Sequence, residues 1–287
     1  MKTLKKIERD FGLKPLILDA LEKSTKEKEV AVFLSGGIDS QSLAYGLHEI
    51  GKTVNVYTFG VNSQENQDTK GSRYLCDIFG WKSTFVNINR YNLKNDFYTL
   101  YTKYKCSKKT QFECIWPFLY VYPYIKEKDI FAGLGPDTLF GTGKTASMHY
   151  KDDHEGFNQY RKDCFKKERN LSSIDQQIML SNEYGKVFHA PYKNQNIIDH
   201  CLQFNWREVN TPMLKSPVIQ AFYEQFSKYG ANHHANYQIV ACIPEIFNVL
   251  LEDKEINFKN RKRTLEMYRD WSRKQRVEEN NLFGDFD

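Results

Sequence analysis

The segment Ser35-Gly36-Gly37-Ile38-Asp39-Ser40 gathers the groups best suited to chemistry on a phosphate. It follows Val30 to Leu34, an apolar β-branched run that reads as a buried strand. It precedes Ser40 to Ile50, which reads as a helix with Leu43, Leu47 and Ile50 on one face and Gly51 as its stop. A strand-to-helix junction turns free backbone N–H groups and the positive end of the helix dipole outward, which suits an anion. Two consecutive glycines let the backbone approach a phosphate without a Cβ in the way, and Ser35 and Ser40 add hydroxyl donors. Asp39 by itself repels phosphate, so a carboxylate there makes sense mainly as a Mg2+ ligand bridging to phosphate oxygens.

A second glycine segment, Gly141-Thr142-Gly143-Lys144-Thr145, has the look of a Walker A ending. That loop needs a further glycine five residues before the one in Gly-Lys, and Thr138 occupies the position. A P-loop NTPase is therefore disfavoured.

Taken together, the strand, the Ser-Gly-Gly-φ-Asp-Ser loop and the helix resemble the PP-loop signature of ATP pyrophosphatases, which split ATP into AMP and pyrophosphate. Ala132-Gly133-Leu134-Gly135-Pro136-Asp137-Thr138-Leu139-Phe140-Gly141 resembles the Ser-Gly-Glu-Gly-Ser-Asp-Glu-Leu-Phe-Gly segment of the asparagine synthetase family. Looser similarities follow at Thr58-Phe59-Gly60-Val61 with Glu65-Asn66-Gln67-Asp68, at Ala190-Pro191-Tyr192 and at Thr211-Pro212-Met213-Leu214-Lys215. The resemblance spans roughly residues 25 to 230. It implies ATP and Mg2+ as cofactors, with Asp39 and Asp137 placing the metal. It also implies a nucleotide site formed by Leu34, Ser35, Gly36, Gly37, Asp39 and Ser40, with Phe59 where the base packs and Gly133 and Leu134 at its border.

This chain departs from the family pattern at several places. The Glu of Gly-Glu-Gly is Leu134, the Glu after the Asp is Thr138, and the family lysine falls at Thr211, which leaves Lys215 as the candidate cation for the α-phosphate. Residue 2 is Lys rather than the family's glutaminase cysteine, so glutamine hydrolysis by this chain is not expected. The expected reaction is adenylation of a small-molecule carboxylate, with Asp39, Asp137 and Lys215 as catalytic groups, and transfer to ammonia, an amine or the product of a separate glutaminase. Two alternatives stand beside it. One is a PP-loop enzyme that modifies a nucleobase in tRNA or another nucleic acid, using the basic stretch from Lys259 to Arg276. The other is a catalytically degenerate homologue that binds nucleotide, suggested by Leu134, Thr138 and Thr211.

The elements that must hold these groups read as an α/β fold. Thr53 to Phe59, Ser83 to Ile88 and Asp129 to Leu134 are further strand candidates, and helical patterns at Asn66 to Phe79 and Gln111 to Lys126 alternate with them. Such alternation implies a parallel sheet with helices on both faces. A helical segment over 1–27, broken by Pro15, precedes the PP-loop domain over 28–150, and a mainly helical region over 151–287 follows. Apolar residues at 40% and aromatics at 15% supply a core, and a net charge of +5 discriminates little between partners. No apolar run is long enough to span a membrane, and six cysteines without a Cys-x-x-Cys pair fit reduced thiols in a cytoplasmic protein. His149, His154 and the pair His233-His234 read as loop or surface residues rather than metal ligands.

Overall fold

A computed structural model describes residues 6–62, 65–166, 173–230, 237–250 and 270. Helix α1 (Leu13–Ser24) leads into strand β1 (Glu29–Phe33), helix α2 (Ile38–Glu49), β2 (Thr53–Val61), α3 (Gln67–Phe79) and β3 (Lys82–Ile88). Helices α4 (Leu93–Thr102) and α5 (Lys109–Val121) precede β4 (Asp129–Ala132), and the short helices α6 (Pro136–Leu139) and α7 (Lys144–His149) follow it. Next come α8 (His154–Lys166), α9 (Ile174–Glu183) and β5 (Val187–His189). Six helices complete the described part: α10 (Gln195–Cys201), α11 (Trp206–Asn210), α12 (Ser216–Ala221), α13 (Tyr223–Tyr229), α14 (Tyr237–Val240) and α15 (Ile243–Leu250).

The five strands form one sheet in the order β3-β2-β1-β4-β5, and every pairing is parallel. Strand β1 lies at its centre, which is why Val30, Ala31 and Val32 are all buried. Side-chain alternation sends Val30 and Val32 to one face, under α1, α2, α3, α10 and α12. Ala31 and Tyr57 face the opposite cluster, filled by α4, α5 and α15. Helices thus cover both faces, as the α/β pattern requires.

Local chemistry sets the boundaries. Asn66 caps α3 in a reciprocal box with Thr69, and Gly80 ends that helix at φ 67°. At the N-terminus the expected broken helix is a single one. Residues 6–12 are not helical, and Gly12 at φ 62° precedes α1. Pro15 falls in the first turn of α1, where its missing N–H removes no helical bond. The helix anticipated over 111–126 runs from Lys109 to Val121 through Pro117, then tightens into a 3-10 turn at Tyr122–Tyr124. Trp116 and Phe118 are buried there, whereas Tyr124 is exposed.

Past residue 150, where only helices and loops were expected, Val187–His189 adds the fifth strand beside β4. Three residues carry too little period for a strand to be read from them. At its base Asp129 is buried between Thr25, whose hydroxyl donates to it over 2.5 Å, and His189, 2.6 Å away. All six cysteines are free thiols, and no described helix is long and apolar enough to cross a membrane. The His233-His234 pair and the basic stretch 259–276 lie outside the described residues.

Candidate active site

Strand order reverses between β1 and β4, because the chain moves outward through β2 and β3 before returning to the other side of β1. Ligands of open α/β sheets bind in the crevice at such a point, beyond the carboxyl ends of the strands. Both glycine motifs arrive there, one after β1 and one after β4. Between them opens a cavity of about 360 Å³.

The loop after β1 is held by its own hydroxyls. The Ser35 N–H donates to the Ser40 Oγ over 3.1 Å, the Gly37 N–H donates to the Ser35 Oγ over 3.4 Å, and the Ser40 hydroxyl donates to the Gly37 carbonyl over 3.2 Å. Gly36 takes φ 66°, a conformation that other residues adopt only with strain. Its carbonyl accepts the Gln41 side-chain amide over 2.5 Å, and the Tyr45 hydroxyl donates to Gln41 in turn over 3.0 Å. Gln41 is thus a support of the loop that no motif pointed to, although it directly follows Ser40.

The second motif locks onto the first at Gly133. A Cβ built there would stand 2.6 Å from the Asp39 carbonyl carbon and 2.7 Å from the Ser40 nitrogen. Only glycine lets the two backbones touch. We expect Gly133→Ala to lower nucleotide affinity by about 1–3 kcal/mol, the usual scale of overpacking, while the thermal transition remains cooperative. Calorimetric titration with ATP measures it, and unchanged affinity would contradict the contact. The Ala190-Pro191-Tyr192 segment lies below both loops. The buried Tyr192 hydroxyl is 2.6 Å from the Ser42 Oγ, and the Ser42 hydroxyl donates to the Asp39 carbonyl over 2.8 Å.

Three charged groups meet in this crevice. Lys215 Nζ lies 2.6 Å from Asp39 Oδ2 and 2.6 Å from Asp137 Oδ1. Lys215 reaches them from the residue just before α12 with φ 60°, a left-handed turn that directs the chain inward. Its N–H donates to the Asn210 side-chain oxygen over 3.2 Å, and Asn210 donates to the Phe140 carbonyl over 2.7 Å, which ties the lysine to the second motif. Asp137 is steadied by the Thr142 hydroxyl at 2.7 Å. Burial works against the lysine charge, but the two carboxylates outweigh it and hold its pKa above the usual lysine range. Sequence spacing gave no sign of Asn210. Thr211, at the family lysine's place, is exposed and does not line the cavity.

Of the residues anticipated from sequence, Leu34, Ser35, Gly37, Asp39, Ser40, Phe59, Gly133, Leu134, Asp137 and Lys215 all line the cavity, whereas Gly36 does not, its carbonyl being taken up by the Gln41 side chain. Lys144, His149 and His154 are exposed and lie away from it. The deep side is aromatic, where Phe33 and Phe118 meet at 4.5 Å and Phe59 and Tyr237 at 6.0 Å. This surface suits a planar base or an apolar substrate body.

Asp68, in the first turn of α3, also lines the cavity. Desolvation raises its pKa from 3.8 to about 6. Being raised on folding, it favours the folded state fully below pH 3.8, and that contribution is lost as pH climbs through about 6. Asp68→Asn is therefore expected to melt higher than wild type at neutral pH, with the gain vanishing in acid. Melting curves across pH check this, and a gain that persists in acid would refute the assignment.

The family comparison agrees with the motifs. Residues 12–237 match the asparagine synthase family. Among solved structures, the ammonia-dependent NAD synthetase of Campylobacter jejuni is 16% identical, with 72% of this chain and 99% of that chain covered and a TM-score of 0.35. The NMN synthetase of Francisella tularensis is 13% identical over 86% of this chain and 95% of that one, with a TM-score of 0.32. A U34-tRNA thiolase of Methanococcus maripaludis is 13% identical over 91% and 77%, with a TM-score of 0.33. No curated protein matches the chain. With the family match running through both glycine loops, the cavity and Lys215, the chain belongs to the asparagine synthase family of PP-loop ATP pyrophosphatases.

Proposed function

We propose that this chain is an ATP-dependent ligase that adenylates a substrate carboxylate, releases pyrophosphate and passes the acyl group to ammonia or an amine. The observation that carries the proposal is the convergence of Asp39, Asp137 and Lys215 beside the loop Ser35–Ser40 within one cavity.

In the first step an oxygen of the substrate carboxylate attacks the α-phosphorus of ATP. The bond from that phosphorus to the bridging oxygen breaks, and pyrophosphate leaves with the electron pair. A nitrogen lone pair then attacks the acyl carbon, the carbon–oxygen bond to AMP breaks, and the proton on nitrogen passes to solvent. Backbone N–H groups of the Ser35–Ser40 loop and the start of α2 face the leaving pyrophosphate. Lys215 presents an ammonium on the cavity wall, a cation with donors for phosphate oxygens. The aromatic side of the cavity orients the base or the acid and excludes water.

A magnesium ion fits this donor set. Two carboxylates from different elements already frame a position filled by a cation. No larger cluster of His, Cys, Asp and Glu exists among the described residues, so phosphate oxygens and water would complete the shell, as Mg2+ prefers. Asp39 and Asp137 would hold the ion, which when bound neutralises charge on the phosphates.

The test is exchange of labelled pyrophosphate into ATP across a panel of carboxylic acids. Exchange that depends on one acid is the expected result. Formation of ADP, or acid-independent hydrolysis only, would defeat the reading.

A further inference from the structure

Lys215 takes up the space between the two carboxylates that a divalent ion needs. Its side chain is only 3% exposed, against 19% for Asp39 and 47% for Asp137. Asp39 and Asp137 would hold an ion through the same carboxylates that the ammonium contacts at 2.6 Å. The ammonium and a metal ion compete for that gap, because both need the same two carboxylate oxygens at contact distance.

We infer that Lys215 is an internal counter-ion that keeps divalent metal off Asp39 and Asp137 until a nucleotide draws it away. The triphosphate supplies the negative oxygens that the ammonium needs once it leaves the carboxylates. The carboxylates are then open to the ion that accompanies the phosphates.

The backbone favours a move of the side chain alone. Lys215 N–H is fixed on Asn210, and the Lys215 carbonyl accepts the Val218 N–H over 3.0 Å, so the left-handed turn stays in place while the four-carbon stem swings. A purely structural ion triad does not fit the exposure of Asp137 or the position of all three groups on the cavity wall. Metal affinity and nucleotide affinity are then linked, each raising the other by the same factor.

The inference rests on the metal role given above to the two carboxylates, but not on the choice of acid or on turnover. The test is uptake of Mn2+, followed by electron paramagnetic resonance on the full chain. Nucleotide-free wild type is expected to take up no more Mn2+ than Asp39→Asn. Lys215→Met is expected to bind one ion without nucleotide, at least about tenfold more tightly than wild type, within the usual range of coupling energies. Adding Asp137→Asn to Lys215→Met should cancel that site, and a non-hydrolysable ATP analogue should bring Mn2+ to wild type. Lys215→Ala serves as a second variant should methionine not be tolerated.

Tight Mn2+ binding by nucleotide-free wild type would overturn the inference, as would folded lysine variants that bind no better than wild type. Should neither variant fold, wild type decides alone. Uptake only with the analogue supports the inference, and uptake without it refutes the idea. Failure of pyrophosphate exchange, by contrast, would count against the proposed reaction and leave the Mn2+ result intact.

Discussion

Replacing Asp39 with asparagine is expected to lower ATP–pyrophosphate exchange by about 10²–10³-fold, the scale on which a preorganised electrostatic partner acts. Asp39 is the better buried of the two carboxylates, at 19% exposure against 47% for Asp137, so its charge is the less screened. The amide keeps the shape and loses the charge. Lys215 would retain only Asp137, and the crevice would shift by one positive charge. We expect Asp137→Asn to act in the same direction with a smaller loss. Breaking a buried ion pair also weakens the fold, so the melting transition of each variant must be followed beside its exchange rate. The pairing makes a cycle possible. Asp39→Asn with Lys215→Met should destabilise less than the sum of the two single changes, because the double variant leaves no isolated charge at that contact. Strict additivity would mean that the 2.6 Å contact carries no energy of its own.

The chemistry of this crevice was more legible in the sequence than its framing. Ser35–Ser40 and Gly133–Gly141 are contiguous, and each advertises a backbone demand through glycine. Gly36 needs its positive φ, and Gly133 needs its missing Cβ. The central strands were legible for a related reason, since β1 is buried on both faces and shows as an unbroken apolar run. Lys215 was legible as a charge but not as a position. Its reach into the crevice depends on a left-handed residue and on Asn210, and neither leaves a periodic trace. Strand β5 was hidden because Val187–His189 is three residues long and is chosen by the free edge of β4 rather than by its own propensity. The N-terminal helical segment was misread for a local reason, as Gly12 at φ 62° starts the helix only at Leu13 and Pro15 falls in its first turn.

Arg161 supplies the largest expected change in stability outside the crevice. Its side chain is fully buried and stacks on Phe157 at 3.9 Å. Its guanidinium donates to the carbonyls of Leu139 at 3.3 Å, Cys201 at 2.8 Å and Phe204 at 2.8 Å, and to the Asn158 side chain. None of these partners is a carboxylate, and burial lowers its pKa below the usual arginine range to about 10 without discharging it at neutral pH. The arginine therefore acts as a planar fork joining the end of α6 to the turn between α10 and α11. Arg161→Ala removes the fork, opens a void beside Phe157 and leaves buried carbonyls without donors, each of which costs about 1–3 kcal/mol. Relief from burying a charge offsets part of this, so a net loss of about 3–5 kcal/mol is expected, the range of other broken buried networks. Lysine brings one point charge in place of a fork and should recover only part of the loss. Leu139 belongs to the same helix as Asp137, and so the looser α6 should weaken ATP binding in the alanine variant even where the protein is still folded. Denaturant melts read the first effect, and ATP titration below the melting range reads the second. An alanine variant as stable as wild type would show that the carbonyls find water or one another, and that Arg161 does not hold this corner together.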